Sequence, residues 1–215
     1  MGKNIKMLKC FFKVLTNDKE ETEKIIPDMY VKSIYKIDYE YLNKQNIKYL
    51  VFDIDNTIVP VDDINVPKEL KELFNNLKKN GFSLCMMSNN SKERVLPLAK
   101  ELDIKYLYEA QKPKKESFDK ALELLKCQKF EVAMVGDQMM SDIKGAKEYG
   151  IYAILTDPLS DKQNILTKTS RVMQDIMEKH LAKKKMFTPQ NYYVKEEIKW
   201  PHITRQKKVI LPKSY

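Results

Sequence analysis

The stretch Tyr49-Leu50-Val51-Phe52-Asp53-Ile54-Asp55-Asn56-Thr57 decides the fold. Its first four residues are apolar or aromatic and read as a short buried strand. The next five place two carboxylates two residues apart, directly where that strand ends. Working outward, further short apolar runs lie at 82–87, 104–107, 132–135 and 151–155. Between them, near 68–79, 91–102, 115–127 and 142–149, the pattern is that of amphipathic helices. Strand and helix alternating in this way predict an α/β protein, a Rossmann-like doubly wound parallel sheet with helices on both faces. Gly81 and Gly150 stand where helices must stop before the next strand.

In such a sheet ligands bind beyond the carboxyl ends of the strands. The residues just past each strand are therefore the sharpest evidence of chemistry. The first delivers Asp53-Ile54-Asp55-Asn56-Thr57, the second Ser88-Asn89-Asn90 and the third Gln111-Lys112-Pro113. The fourth delivers Gly136-Asp137-Gln138-Met139-Met140-Ser141-Asp142. Four carboxylates at one sheet edge require a cation, and oxygen donors without His or Cys favour Mg2+ over zinc. A plainer alternative stays open on the residues alone: Asp137 and Asp142 as caps of the helix near 142, and Lys112 as an exposed loop lysine.

With these four segments in place, the chain resembles the haloacid dehalogenase superfamily of aspartate-nucleophile phosphotransferases, across roughly residues 45–160. The resemblance implies that Asp53 is the nucleophile and Asp55 the general acid and base. It implies Mg2+ held by Asp53, the Asp55 carbonyl and Asp137, with Asp142 in support. Ser88, Lys112 and the backbone N–H groups of Ile54 and Asn89 would hold the phosphoryl oxygens, and Thr57, counted with Ser88, Asn89 and Lys112 in the substrate-binding set, would chiefly fix the turn after the nucleophile.

Superfamily members choose substrates with inserted cap domains, and this chain has no space for one. Thirty residues separate Thr57 from Ser88 and 23 separate Ser88 from Lys112, and each interval is taken up by the predicted helices and strands. An open, capless site suits a phosphate presented on something large. The segments Pro27-Asp28-Met29-Tyr30-Val31-Lys32-Ser33-Ile34, Ile37-Asp38, Ala110-Gln111-Lys112-Pro113, Val135-Gly136-Asp137-Gln138 and Asp157-Pro158 resemble the YqeG family of small capless phosphatases, over about residues 25–182. Ser141 stands where that family usually has Thr. Relatives of that family include a phosphatidylglycerophosphate phosphatase, so the resemblance implies conversion of phosphatidylglycerophosphate to phosphatidylglycerol.

The chain of 215 residues carries 39 Lys and Arg against 30 Asp and Glu, a net charge of +9. Residues 162–215 hold 13 basic and 4 acidic residues, the whole excess, and residues 1–161 hold 26 of each. A neutral body with basic ends is thus expected: an N-terminal basic amphipathic helix (1–24), a phosphatase domain (25–185) and a basic C-terminal tail (186–215). In the first segment Ile5, Met7, Leu8, Phe11, Phe12, Val14 and Leu15 form one helical face. Lys3, Lys6, Lys9 and Lys13, with Cys10, form the other. That composition suits an anionic membrane interface, and docking on the body is the alternative. The segment 161–185 is expected to be a further helix with Ile165, Val172, Ile176 and Leu181 on one face, and the tail to be extended.

At 43% hydrophobic with 5 Gly, the composition excludes disordered and fibrous classes. No apolar run approaches the roughly 18 residues of a membrane span, and no secretory pattern is present at the N-terminus. Cys10, Cys85 and Cys127 are isolated, as in a reducing compartment. The expected location is cytoplasmic, peripheral on the inner membrane face. The expected partners are a phosphate ester, an anionic phospholipid, and that membrane surface. Two alternatives are a phosphatase acting on soluble, protein or nucleic-acid phosphates, and a non-enzymatic RNA-binding protein. The second is disfavoured because aromatic and basic residues do not interleave as in nucleic-acid binders, and no nucleic-acid partner is expected.

Overall fold

The computed structural model of the chain describes residues 3–160, 165–184, 186, 197–200 and 203–206. Strands β1 (Met29–Val31), β2 (Tyr49–Phe52), β3 (Ser83–Met87), β4 (Lys105–Leu107), β5 (Val132–Gly136) and β6 (Tyr152–Thr156) form one sheet in the order β1-β6-β5-β2-β3-β4, with every pair parallel. Five of these are the apolar runs. The sixth, β1, is a finding of the structure: its three residues are too few for periodicity to identify, and pairing with β6 (Met29 opposite Ile154) makes it a strand.

The helices are α1 (Lys3–Leu15), α2 (Lys19–Ile25), α3 (Tyr39–Lys44), α4 (Lys68–Lys79), α5 (Lys92–Leu102), α6 (Lys115–Leu125), α7 (Lys144–Tyr149) and α8 (Ile165–Lys183). Alternate strand side chains feed two cores, one on each face of the sheet. Leu50 and Phe52 pack with Leu70 and Phe74 of α4 and Leu98 of α5. Val51 packs on the other face with Phe118 and Ala121 of α6. The chain runs outward from β2 to β3 and β4, then returns to β5 and β6 on the other side of β2. The carboxyl ends of β2 and β5 therefore flank a topological switch point, the place where sheets of this kind bind ligands.

Three expectations are corrected. Cys10, placed with the lysines, is buried, because α1 docks through Cys10 and Val14 on a core shared with Met177 and Leu181 of α8. Its outer apolar residues Ile5, Leu8 and Phe12 stay exposed. On α8 the buried stripe is Met173, Met177 and Leu181 at four-residue spacing, while Val172 and Ile176 are exposed; the side chain of Ile165 lies outside the described residues. Within the tail, Glu197–Trp200 (β7) and Ile203–Gln206 (β8) pair antiparallel instead of running singly. The rest of 187–215 lies outside the described residues.

Candidate active site

Hydrogen bonding from Asp53 N to Val135 O (2.8 Å) carries the β2–β5 pairing one residue past β2, so Asp53 is held at a fixed height at the strand end. The chain then turns sharply. Asn56 adopts a left-handed backbone (φ 62°), and the N–H groups of Thr57 and Ile58 both donate to Ile54 O. This turn directs the Thr57 hydroxyl inward, 3.2 Å from Asp53 Oδ2 and 3.4 Å from Asp137 Oδ1. Thr57 is buried, and its hydroxyl is committed to the two carboxylates.

Lys112 is the buried cation of the site. It is 1% exposed, and its Nζ lies 2.5 Å from Asp53 Oδ1 and 2.8 Å from Asp142 Oδ1. This removes the alternative of an exposed loop lysine. Asn89 positions it: Asn89 Oδ1 accepts from Lys112 N (2.7 Å) and Asn89 Nδ2 donates to Lys112 O (3.2 Å). The neighbouring Ser88 is buried at the end of β3, and its Oγ accepts from Asn90 N at 3.1 Å.

After β5 the backbone forms a π-helical turn over Met139–Ile143 before α7 begins, so the helix expected from 142 starts two residues later. The turn brings Asp142 back over the strand end, where its Oδ2 accepts from Gln138 N at 3.1 Å. Gly136 permits this: a Cβ there would lie 2.4 Å from Asp142 Cγ. Asp142 faces Lys112 across the site instead of only capping a helix.

Asp53, Asp137 and Asp142 are all buried and bring carboxylate oxygens within 4.8 Å of one another. Burial, with Asp142 and Asp137 alongside, pushes Asp53 up to about 8 against the opposing pull of the Lys112 ammonium. Burial likewise raises Asp137 to about 6, although Arg171 opposes it. Burial alone would lower the Lys112 ammonium, but Asp142 and Asp53 outweigh it and hold the pKa above its ordinary value. Asp142 Oδ1 is near Lys112 Nζ yet makes no hydrogen bond of acceptable geometry, leaving a buried carboxylate oxygen without a donor. An all-oxygen donor set of this kind fits a hard divalent cation such as Mg2+.

Sequence reading missed three residues that hold these groups in place. Arg171 on α8 donates from Nη1 to Asp137 O (2.9 Å) and from Nη2 to Asp137 Oδ2. Gln174, one turn on, donates to the same carbonyl (3.1 Å) and accepts from Met139 N (2.9 Å). Arg94 on α5 holds Asp55, donating to its Oδ1 from Nε (3.1 Å) and Nη2 (2.8 Å), while Asn90 Nδ2 donates to Oδ2. The Asp55 side chain thus faces Arg94 and Asn90, outside the carboxylate triad. An arginine on an amphipathic helix carries no local signal of such a partner.

A buried aspartate at the end of the central strand, facing a lysine from the loop after β4 and two carboxylates from the segment after β5, defines a class. The chain is a phosphatase of the haloacid dehalogenase-like hydrolase family. That family's sequence model matches residues 61–150, which take in Ser88, Lys112, Asp137 and Asp142. More specifically, the chain is 32% identical over 149 residues to the probable phosphatase YqeG of Bacillus subtilis (strain 168), covering 69% of this chain and 87% of that one. It is also 25% identical over 170 residues to the chloroplastic/mitochondrial phosphatidylglycerophosphate phosphatase 1 of Arabidopsis thaliana, covering 74% of this chain and 49% of that protein. Among solved structures, an uncharacterized protein from Listeria monocytogenes serotype 4b superposes with a TM-score of 0.45 at 24% identity, over 64% of this chain and 99% of that one. The 3-deoxy-D-manno-octulosonate 8-phosphate phosphatase of Moraxella catarrhalis, solved with magnesium and phosphate, has a TM-score of 0.39 at 18% identity, over 67% and 93%.

Proposed function

We propose that the protein is a Mg2+-dependent phosphomonoesterase working through an aspartyl-phosphate. Its proposed reaction is the conversion of phosphatidylglycerophosphate to phosphatidylglycerol at the inner face of an anionic membrane. The observation that carries the chemistry is the buried Asp53 carboxylate with the Lys112 ammonium 2.5 Å away, at the carboxyl end of the central strand.

In the first step a carboxylate oxygen of Asp53 attacks phosphorus. The Asp53 O–P bond forms as the ester P–O bond breaks, and the departing alkoxide takes a proton from Asp55. In the second step Asp55 takes a proton from water as the water oxygen attacks the same phosphorus, releasing inorganic phosphate and restoring Asp53. Lys112, the Ser88 hydroxyl and the N–H groups of Ile54 and Asn89 hold the phosphoryl oxygens as charge moves. Asp53, Asp137 and Asp142, with the Asp55 carbonyl, would hold Mg2+, which when bound offsets the repulsion between an anionic nucleophile and an anionic phosphate. Thr57 keeps Asp53 and Asp137 in register through its two hydroxyl contacts.

Two features support the lipid reading beyond the name of the plant relative. The intervals that would hold a cap contain only α4 and β3 between Thr57 and Ser88, and only α5 and β4 between Ser88 and Lys112. The site is therefore reachable by a phosphate carried on a surface. On α1, Ile5, Leu8 and Phe12 are 54%, 48% and 57% exposed beside exposed Lys6, Lys9 and Lys13, and the helix carries no acid. That is the arrangement of an interfacial helix on anionic lipid. No helix among the described residues is long and apolar enough to cross a membrane.

The test is Mg2+-dependent phosphate release from phosphatidylglycerophosphate in mixed micelles, with Asp53→Asn as the blank. The panel includes soluble phosphate esters, a phosphopeptide and a 5′-phosphorylated oligonucleotide. Release from the lipid at a kcat/KM well above the rest is expected. Preference for a soluble, protein or nucleic-acid phosphate overturns the lipid substrate and leaves the phosphatase standing.

A further inference from the structure

The end of β3 and the start of α5 form a short run, residues 88–94, in which Ser88 and Asn89 serve the phosphoryl site. The structure gives two more of its side chains a partner in the first catalytic segment. Asn90 Nδ2 donates to Asp55 Oδ2. Arg94 donates twice to Asp55 Oδ1, and also to Pro60 O (2.9 Å) from Nη2 and to Asp63 O from Nη1. Four N–H groups of one guanidinium are thereby used, in a planar fork whose geometry an ammonium cannot copy. Arg94 and Asp55 are mostly shielded from water, with 14% and 15% of their side chains exposed, so the contact is not a screened surface pair.

Asp55 needs such a restraint. It lies between the nucleophile and a left-handed turn at Asn56, and the backbone bonds that close this turn on Ile54 O and pair Asn56 N with Val59 O fix the main chain without fixing the carboxylate. The partners of its carboxylate lie outside its own segment, on α5 and just before it. A proton donor two residues from the nucleophile is useful only when held within reach of the departing oxygen, and small displacements of such groups are costly. We propose that Arg94, with Asn90, is the positioning residue for Asp55. In this role it fixes the direction of the acid and base carboxylate by tying it to α5 and to the loop at Pro60–Asp63. The proposal rests on the assignment of Asp55 as acid and base.

A positioning role of this kind has a signature that loop support lacks. Protonation of the leaving oxygen matters greatly for an alkyl ester, whose alkoxide is a poor leaving group, and little for a nitrophenyl ester, whose phenolate leaves unaided. The measurement is kcat/KM for glycerol phosphate and for p-nitrophenyl phosphate, with Mg2+, on the full chain and on Arg94→Gln, Arg94→Lys and Asp55→Asn. Through the first irreversible step, kcat/KM reports bond breaking to the leaving group and not the later attack of water. Arg94→Gln is expected to lose about a hundred-fold on the alkyl ester and about three-fold on the aryl ester, within the range of general acid catalysis. Arg94→Lys, which keeps the charge without the fork, is expected to fall between Arg94→Gln and wild type. Should Arg94→Gln fail to fold, the same ratio is read from Arg94→Lys. Equal losses on both esters, or no loss on either, overturn the proposal if Asp55→Asn itself shows the selective loss. If Asp55→Asn loses equally on both, the acid assignment fails and the proposal fails with it.

Discussion

Arg171 on α8 grips Asp137 twice, through its carboxylate Oδ2 and its backbone carbonyl, so a helix outside the sheet holds one of the three clustered carboxylates in place. The pair is almost wholly removed from water, where losing one partner of an ion pair costs about 3–5 kcal/mol. Arg171→Ala is therefore expected to lower the stability of the metal-free protein by about 3 kcal/mol. Because a bound divalent cation would take over part of the charge compensation, the gap in Tm between variant and wild type should narrow when Mg2+ replaces EDTA. Thermal melts in the two buffers check this, and a gap that is equal in both contradicts it.

Asp53 and Lys112 should separate activity from stability in opposite ways. Asp53→Asn removes the proposed nucleophile and one of three clustered carboxylates. It is expected to cut turnover by at least about 10^4-fold without lowering Tm. Lys112→Met leaves Asp53 and Asp142 facing each other with no cation between them, so it should lose both activity and about 3–5 kcal/mol of stability. Turnover of p-nitrophenyl phosphate and chemical denaturation of the two variants distinguish these outcomes.

The raised carboxylates set a pH dependence with a definite sign. Asp53 moves from an ordinary 3.8 to about 8 and Asp137 from 3.8 to about 6, so between those values the folded metal-free protein binds more protons than the unfolded chain. Stability must then fall as pH rises through this window, the loss being complete only above about 8. In EDTA, Tm is expected to drop steadily from about pH 5 to about pH 8, and Mg2+ should flatten the curve. Asp53→Asn should flatten it in EDTA as well. A wild-type Tm that rises over this window in EDTA rules out the buried carboxylates as the controlling groups.

On α1, truncation is the wrong test of membrane contact, because Cys10 and Val14 belong to the core and their removal opens it. The exposed residues are the right target. Leu8→Ser with Phe12→Ser should change stability by no more than about 1 kcal/mol, as surface substitutions do. Burying such side chains at an interface is worth about 1.5–3 kcal/mol each, so the double variant should lose at least about ten-fold in affinity for vesicles containing phosphatidylglycerol. Co-sedimentation at two salt concentrations measures it. Absence of wild-type binding to those vesicles sinks the interfacial role of this helix.

The sequence by itself determined five of the six strands of the sheet, its central strand and the residues that follow those strands. Those features depend on local patterns: apolar runs of strand length, helical periodicity between them, and short polar segments at the switch. Phe52 followed by Asp53 was legible because hydrophobic strand and charged turn adjoin in the chain. Only the tertiary structure decided which of those groups meet and what holds them. Lys112 lies between Asp53 and Asp142 because three strand ends converge, and Arg94 and Arg171 reach Asp55 and Asp137 across 39 and 34 residues of chain. The face α1 turns inward was likewise settled by packing against Met177 and Leu181. Its wide apolar stripe, with Cys10 at the edge, admits more than one rotation until a partner surface exists.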